Sequence, residues 1–115
     1  MSDVKITVGG ALEADASRRF IDAWRRAERG KKFRERHLAF ESWDALARVL
    51  TRKRMELLRY VRRHNVASVR ALAKALRRDY SNVHADVQAL ASAGLVDTTN
   101  GVRADYDAIE TKIAI

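Results

Sequence analysis

The sequence predicts a mainly α fold with a small β component, an α+β class. Apolar residues recur at helical spacing through most of the chain, two short segments alternate with period two, and glycines separate the segments. The 115 residues suffice for one domain with a real core but hardly for two independent cores. Because the chain has no cysteine, packing alone must hold it together, as suits a reducing cytoplasm.

Residues 1–50 are predicted to form an N-terminal extension. Val4–Val8 alternates and stops at a glycine pair, which indicates a short strand. Residues 12–30 carry an apolar stripe that ends at Gly30 and predict a long amphipathic helix. Residues 37–40 follow a basic connector and are a candidate second strand.

Two capped helices are predicted next. Ser42 precedes an apolar pattern that runs to Thr51, and Thr51 is placed to cap a helix over residues 52–64. The apolar stripe of that second helix contains Met55, Leu57, Leu58 and Val61. This helix leads into the most informative segment of the chain.

Residues 68–96 predict two short amphipathic helices joined by a tight turn. Ser68 and Asp79 each stand just before a helical run, where a short oxygen-bearing side chain can cap the first turn. Gly94 is placed to close the second helix in the left-handed conformation. This pattern is typical of a DNA-reading helix-turn-helix.

An Asn-Gly pair at residues 100–101 lies between two extended runs. It predicts a type I′ hairpin, in which both residues take positive φ, and this hairpin would be the wing of a winged helix. Residues 51–115 are therefore predicted to form a winged helix-turn-helix domain. The alternating tail, residues 111–115, is expected to pair with the N-terminal strand.

Positive charge is concentrated before the second helix of this pair. Residues 52–78 hold ten basic side chains against Glu56 alone, a local net charge of +9 within a total of +8. Such a patch is suited to polyphosphate, since neutralising phosphates releases condensed counterions. Alternatively, it is a solvated charged helix face.

Five short motifs stand out along the chain: F-E-x-W-x-x-L from Phe40, T-x-K-R-x-x-L-L from Thr51, S-V-R-A-L-A, R-D-Y-S-N-V-H-x-D-V and G-L-V. Together they resemble a family of small transcriptional regulators of archaea and bacteria that are similar to MarR-like winged-helix proteins. The resemblance implies a DNA-binding regulator. It departs at Arg77, where relatives tend to have glycine; at positive φ an arginine would be strained by roughly 1 kcal/mol.

The face of the second helix opposite its buried residues supplies the candidate base readers. They are Tyr80, Ser81, Asn82, His84, Ala85 and Gln88. Asn and Gln can pair with adenine N6 and N7, and an alanine can pack on a thymine methyl. The other interpretation is a polar solvent face.

Contacts to phosphates and at the wing are predicted separately, because they position the protein without specifying sequence. The candidates are Lys53, Arg54, Ser68, Arg70, Arg77, Arg78, Asn100 and Arg103. Asp86 would repel phosphate, so we expect it to pair with a basic side chain within the domain. Arg103 is placed to reach a minor groove.

No chemistry beyond binding is indicated. Three scattered histidines without cysteine do not make a metal site, and no phosphate loop, nucleophile elbow or paired-acid arrangement is present. We expect no enzyme activity, no metal and no cofactor. The sequence also contains neither a membrane-length apolar run nor a signal-peptide pattern at its N-terminus, so we expect a cytoplasmic protein.

The function predicted best is that of a sequence-specific regulator of transcription, a repressor that binds double-stranded DNA as a homodimer. Phe20, Trp24 and Ala27 form a stripe that is either core or a dimer interface. An antitoxin-like protein, which binds a toxin through residues 1–50 and autoregulates its operon, is the alternative. A basic RNA-binding winged helix is a third possibility.

Overall fold

The computed structural model describes residues 3–9 and 36–115, which divide into two units. One unit contains the described residues up to Arg48 together with residues 106–115, and the other is Val49–Asp105. The C-terminal residues thus join the N-terminal unit, whereas the sequence assigned them to the domain over residues 51–115. The described residues form a small α+β structure with four helices and a three-stranded parallel sheet.

The first unit is built on the sheet. Its strands are β1 (Asp3–Val8), β2 (Arg36–Phe40) and β3 (Ala108–Ile113), in the order β2-β1-β3. Both neighbours run parallel to β1, with Val8 opposite Phe40 on one side and Ile113 on the other. The predicted pairing of the tail with the N-terminal strand is confirmed, and β3 begins three residues earlier than predicted.

The central strand carries the buried side chains of this sheet. Val4, Ile6 and Val8 are almost completely buried, and Thr7 is nearly so. The Thr7 hydroxyl lies 3.3 Å from His37 Nε2 on β2. Because burial covers successive residues of β1, this strand has covered side chains on both faces, as is usual in parallel sheets.

The described helices agree with the segments predicted after Ser42, whereas the helix predicted over residues 12–30 lies outside the described residues. Their bounds are α1 (Trp43–Val49), α2 (Arg52–Arg63), α3 (Val69–Leu76) and α4 (Tyr80–Ser92). None of the described helices is long and apolar enough to cross a membrane.

The predicted N-caps are confirmed. The side chains of Thr51, Ser68 and Asp79 accept hydrogen bonds from the backbone N–H groups three residues later, at 3.3, 3.1 and 3.3 Å. The Ser42 hydroxyl likewise accepts from Ala45 N at 3.2 Å. Each contact satisfies a backbone donor that a helix start leaves without a partner.

The ends of α3 and α4 share one geometry. After α4, Gly94 takes φ 83°, and the next N–H, of Leu95, donates to Leu90 O at 2.8 Å. After α3, Arg77 takes φ 53° and the N–H of Arg78 donates to Ala73 O at 3.0 Å. Both are Schellman motifs, one closed by glycine and the other by arginine.

The core of Val49–Asp105 comes from the three helices and the chain that follows them. α4 packs against both α2 and α3. The most deeply buried side chains are Leu57, Leu72, Val83, Val87, Leu90, Leu95 and Val102. The stripes predicted from helical spacing therefore face a common interior.

At the predicted hairpin the structure shows a single antiparallel bridge, and the turn differs from type I′. Asp97 and Arg103 exchange two backbone hydrogen bonds of 2.8 and 2.9 Å, which closes a five-residue loop. Gly101 has φ 79°, whereas Asn100 keeps negative φ, so the type I′ assignment was wrong. The Asp97 carboxylate accepts from Thr99 N and Oγ1 at 2.8 and 2.7 Å and stabilises this longer loop.

Candidate nucleic-acid interface

The outward face of α4 is the centre of the candidate interface. All six predicted base readers are exposed, while Val83, Val87 and Leu90 on the opposite side are fully buried. This division follows from helical periodicity, since residues three and four apart share a face.

Small side chains form the middle of this face. Ser81, Ala85 and Gln88 follow one another at i, i+4 and i+7, which places them on one stripe. Ser81 and Ala85 have short side chains, so the helix backbone can approach a partner closely at these two positions. Asn82 flanks the stripe on the side of Asp86.

Tyr80 is fixed at the N-terminal end of α4 by two neighbours. The Arg70 guanidinium on α3 lies 5.1 Å from the centroid of its ring, within cation–π range. The His84 ring is also close to Tyr80, with the ring centroids 5.7 Å apart and the planes tilted by 34°. Tyr80 remains 42 % exposed. The structure thus brings a predicted phosphate contact, Arg70, together with two predicted base readers.

Asp86 joins three segments of the unit. Its carboxylate accepts from Arg54 Nε on α2 at 3.0 Å and from Arg78 Nη2, in the turn before α4, at 2.6 Å. Arg54 also donates from Nη1 to Val49 O at 3.2 Å. The expected pairing of Asp86 within the domain is confirmed, and it engages two of the arginines that were predicted to contact phosphate.

The arginines also set the charge state of Asp86. Burial by itself would raise the pKa of this carboxyl. Hydrogen bonds from Arg78 and Arg54, and the charges of both guanidinium groups, outweigh burial and hold the pKa of Asp86 below its ordinary value. Asp86 is therefore a carboxylate at neutral pH and cancels part of the arginine charge beside α4.

Other cations on this unit remain at the surface. Lys53, Arg70, Lys74, Arg77 and Arg103 are exposed, and the Arg77 side chain makes no hydrogen bond or ion pair within the described residues. Val49–Asp105 contains eleven basic and five acidic side chains, a net charge of +6. Asp79 and Asp97 use their carboxylates in local caps, and Asp86 uses its own in the arginine contacts.

The remaining predicted contacts lie before α3 and on the hairpin. The Ser68 hydroxyl is exposed and serves as the cap of α3. Asn100 and Arg103 are exposed at the hairpin. Val102 N donates to Val66 O at 3.0 Å, which attaches the hairpin to the segment between α2 and α3. The stripe of Phe20, Trp24 and Ala27 lies outside the described residues.

Sequence reasoning missed two contacts, one at the end of α2 and one between distant residues. The Tyr60 and His64 rings stack at the end of α2 with centroids 4.1 Å apart, and their i, i+4 spacing was an available signal. At Gly101 an added Cβ would lie 2.1 Å from Val66 O. The sequence contains no signal for this approach, because it joins residues that are 35 positions apart.

The described residues contain no group of three or more His, Cys, Asp or Glu side chains arranged to hold a metal ion. No curated protein and no solved structure is significantly similar to the chain. Residues 49–111, more than half of the chain, match one protein family. The match covers α2, α3, α4 and the hairpin, and the chain belongs to the HVO_A0114 family.

Proposed function

We propose that the protein is a sequence-specific, double-stranded DNA-binding regulator of transcription, a repressor that acts as a homodimer. In this proposal α2, α3, α4 and the hairpin form a winged helix-turn-helix of the MarR-like kind. The observation that carries it is the outward face of α4, a fixed helix whose exposed side chains can donate to and accept from base edges.

The chemistry of that face suits the major groove. An α-helix fits this groove, and amide side chains such as those of Asn82 and Gln88 can pair with adenine N6 and N7. Small residues at positions 81 and 85 allow the backbone to come near the base edges. Electrostatic contacts to phosphates would come from the exposed cations on α2, on α3 and in the turn between α3 and α4.

The polar face of α4 and its basic surroundings have different roles in this proposal. Asp86 neutralises charge next to α4, so base contacts there would depend on hydrogen bonds rather than on net attraction. Exposed cations such as Lys53 and Arg77 would contact phosphates, which position a protein on the duplex without reading sequence. Affinity and specificity would therefore respond to different substitutions.

The test begins with selection of bound sequences from a random duplex pool by the full chain. A palindromic consensus is expected, because a two-fold dimer reads two half-sites. Asn82→Ala should then lower the preference for the selected site over random duplex, while Asn65→Ala, an exposed asparagine outside α4, should leave it unchanged.

Lys53→Ala should behave differently from Asn82→Ala. It should weaken binding to selected and random duplexes alike. The plot of the log of the binding constant against log salt should become less steep, its negative slope falling in magnitude by about one. No enriched sequence, or equal losses on both duplexes for Asn82→Ala and Lys53→Ala, would contradict the proposed function. Preference for RNA over duplex DNA would favour the RNA-binding alternative.

The toxin-binding alternative draws on residues 1–50, of which residues 10–35 lie outside the described part of the structure. It stays a prediction. A stable partner that purifies with the full chain and contacts residues 1–50 would support it.

A further inference from the structure

The strand β3 has an exposed outer edge. Five of its six residues are exposed and Ile109 is half-buried. Among the described residues, β1 is the strand with which it pairs. Unpaired backbone groups along an edge are a template for another strand.

The backbone direction along β3 determines which residues can pair outward. Ala114 N donates to Val8 O at 2.9 Å, so residue 114 directs its backbone groups toward β1. Because backbone groups of successive strand residues point to opposite sides, Glu110 and Lys112 also bond toward β1. Ile109, Thr111 and Ile113 therefore direct their N–H and C=O groups toward the open edge.

We infer that the outer edge of β3 pairs antiparallel with β3 of a second copy of this chain, about a two-fold axis at Thr111. In this register Thr111 faces its own counterpart, and Ile109 faces Ile113 of the second copy. Residues 109, 111 and 113 then make the hydrogen-bonded pairs, in agreement with their outward backbone groups.

Charge selects this register among those that the backbone permits. Centred on Thr111, the register places Glu110 opposite Lys112 of the second copy, twice by symmetry. A shift of two residues in either direction would place Glu110 opposite Glu110 or Lys112 opposite Lys112. Opposite charges in facing strand positions stabilise a pair and like charges destabilise it.

The two faces of the joined strands would also be complementary. Glu110 and Lys112 lie on one face, where Glu110 Oε2 is 3.7 Å from Lys5 Nζ and the Glu110 side chain remains 62 % exposed. Ile109 and Ile113 lie on the other face, and Ile113 is 49 % exposed. Pairing would bury these isoleucines against each other and give charged contacts on the opposite side.

The test uses charge reversal in the full chain, followed by sedimentation velocity without DNA over a range of concentrations. In E110K both facing pairs become positive, and in K112E both become negative. Each variant alone should dissociate at least about tenfold more readily than the wild type, a change of about 1.4 kcal/mol. An equimolar mixture of the two should restore a dimer, because every facing pair is then of opposite charge.

The mixture is also a control for misfolding, since misfolded variants would not regain association with each other. Glu41→Lys makes the same charge change as E110K at an exposed position outside β3 and should dimerise like the wild type. A wild type that is monomeric at every concentration would overturn the inference. Unchanged dimers in E110K and K112E would also overturn it. That result would favour the stripe of Phe20, Trp24 and Ala27 as the dimer interface.

Discussion

Arg77 occupies a backbone conformation that costs an arginine free energy. Its φ of 53° and ψ of 47° lie in the left-handed region, where the Cβ of an L-residue crowds the carbonyl oxygen. The equivalent position after α4 is Gly94, which takes this conformation without a Cβ. The exposed Arg77 side chain makes no hydrogen bond or ion pair within the described residues that would offset the cost.

Replacing Arg77 by glycine should therefore stabilise the fold. We expect Arg77→Gly to raise the free energy of unfolding by about 1 kcal/mol, as measured by urea denaturation of the full chain. If Arg77 also contacts phosphate, the same variant should bind duplex DNA more weakly.

Gly94→Ala is the matched control for Arg77→Gly. It places a Cβ in the same left-handed conformation after α4 and should lower the free energy of unfolding by a similar amount, about 1 kcal/mol. An Arg77→Gly variant that is less stable than the wild type would show that the arginine side chain stabilises the turn.

At the scale of elements, α4 is held in place by more than its buried face. Asp86 attaches it to Arg54 of α2 and to Arg78 of the preceding turn. The Asp86 side chain is 14 % exposed and each arginine side chain 19 % exposed. Removing Asp86 from this partly buried group takes away the carboxylate that both arginines contact.

Asp86→Asn should lower the free energy of unfolding near neutral pH by about 2 kcal/mol or more, since it removes the negative charge that two partly buried arginines contact. Urea denaturation of the full chain measures this loss. Asp105→Asn, at an exposed aspartate of the same unit, is the control and should change stability little.

The difference between wild type and Asp86→Asn should depend on pH. The folded-state pKa of Asp86 lies below its ordinary value of 3.8, so its stabilisation is complete above that value. It is lost as the pH falls through the folded-state pKa, because the unfolded chain then binds the proton more readily. The gap between the two proteins should narrow in acid, and a constant gap would contradict this account.

The hairpin depends on Gly101 for a close approach to Val66. Gly101→Ala should lower the free energy of unfolding by about 2 kcal/mol or more, because the added Cβ would meet Val66 O at 2.1 Å and φ is 79°. Thermal denaturation of the full chain measures the effect. Asn100→Ala, at an exposed neighbour with negative φ, should remain within about 0.5 kcal/mol of the wild type.

On the scale of the whole molecule, the two units differ in net charge. The sheet unit carries twelve basic and ten acidic side chains, including those of residues 10–35, whereas Val49–Asp105 carries eleven and five. The family match extends over the whole of the more basic unit. An electrostatic interaction with polyphosphate would therefore be concentrated in Val49–Asp105.

Much of the second unit could be predicted because its signals are local. The caps Thr51, Ser68 and Asp79 act on N–H groups three residues away, and helical spacing marks Val83, Val87 and Leu90 as buried. The exposed face of α4 follows from the same period. Whether that face reads DNA stays a prediction.

The remaining features depend on contacts between distant residues. The arginines that engage Asp86 lie 32 and 8 positions away, and sequence alone indicated only that some basic partner was needed. The turn at Asn100 departs from type I′ where the hairpin is attached to Val66, through Val102 and the close approach of Gly101. Local pattern could not show this attachment.

The sequence by itself determined the helices, their caps, the left-handed glycine at Gly94 and the concentration of charge, because each depends on residues within a few positions of one another. Tertiary structure decided the parallel order β2-β1-β3, the partners of Asp86 and the hairpin loop. These features join segments that are far apart in the chain, and their free energy arises only when packing brings those segments together.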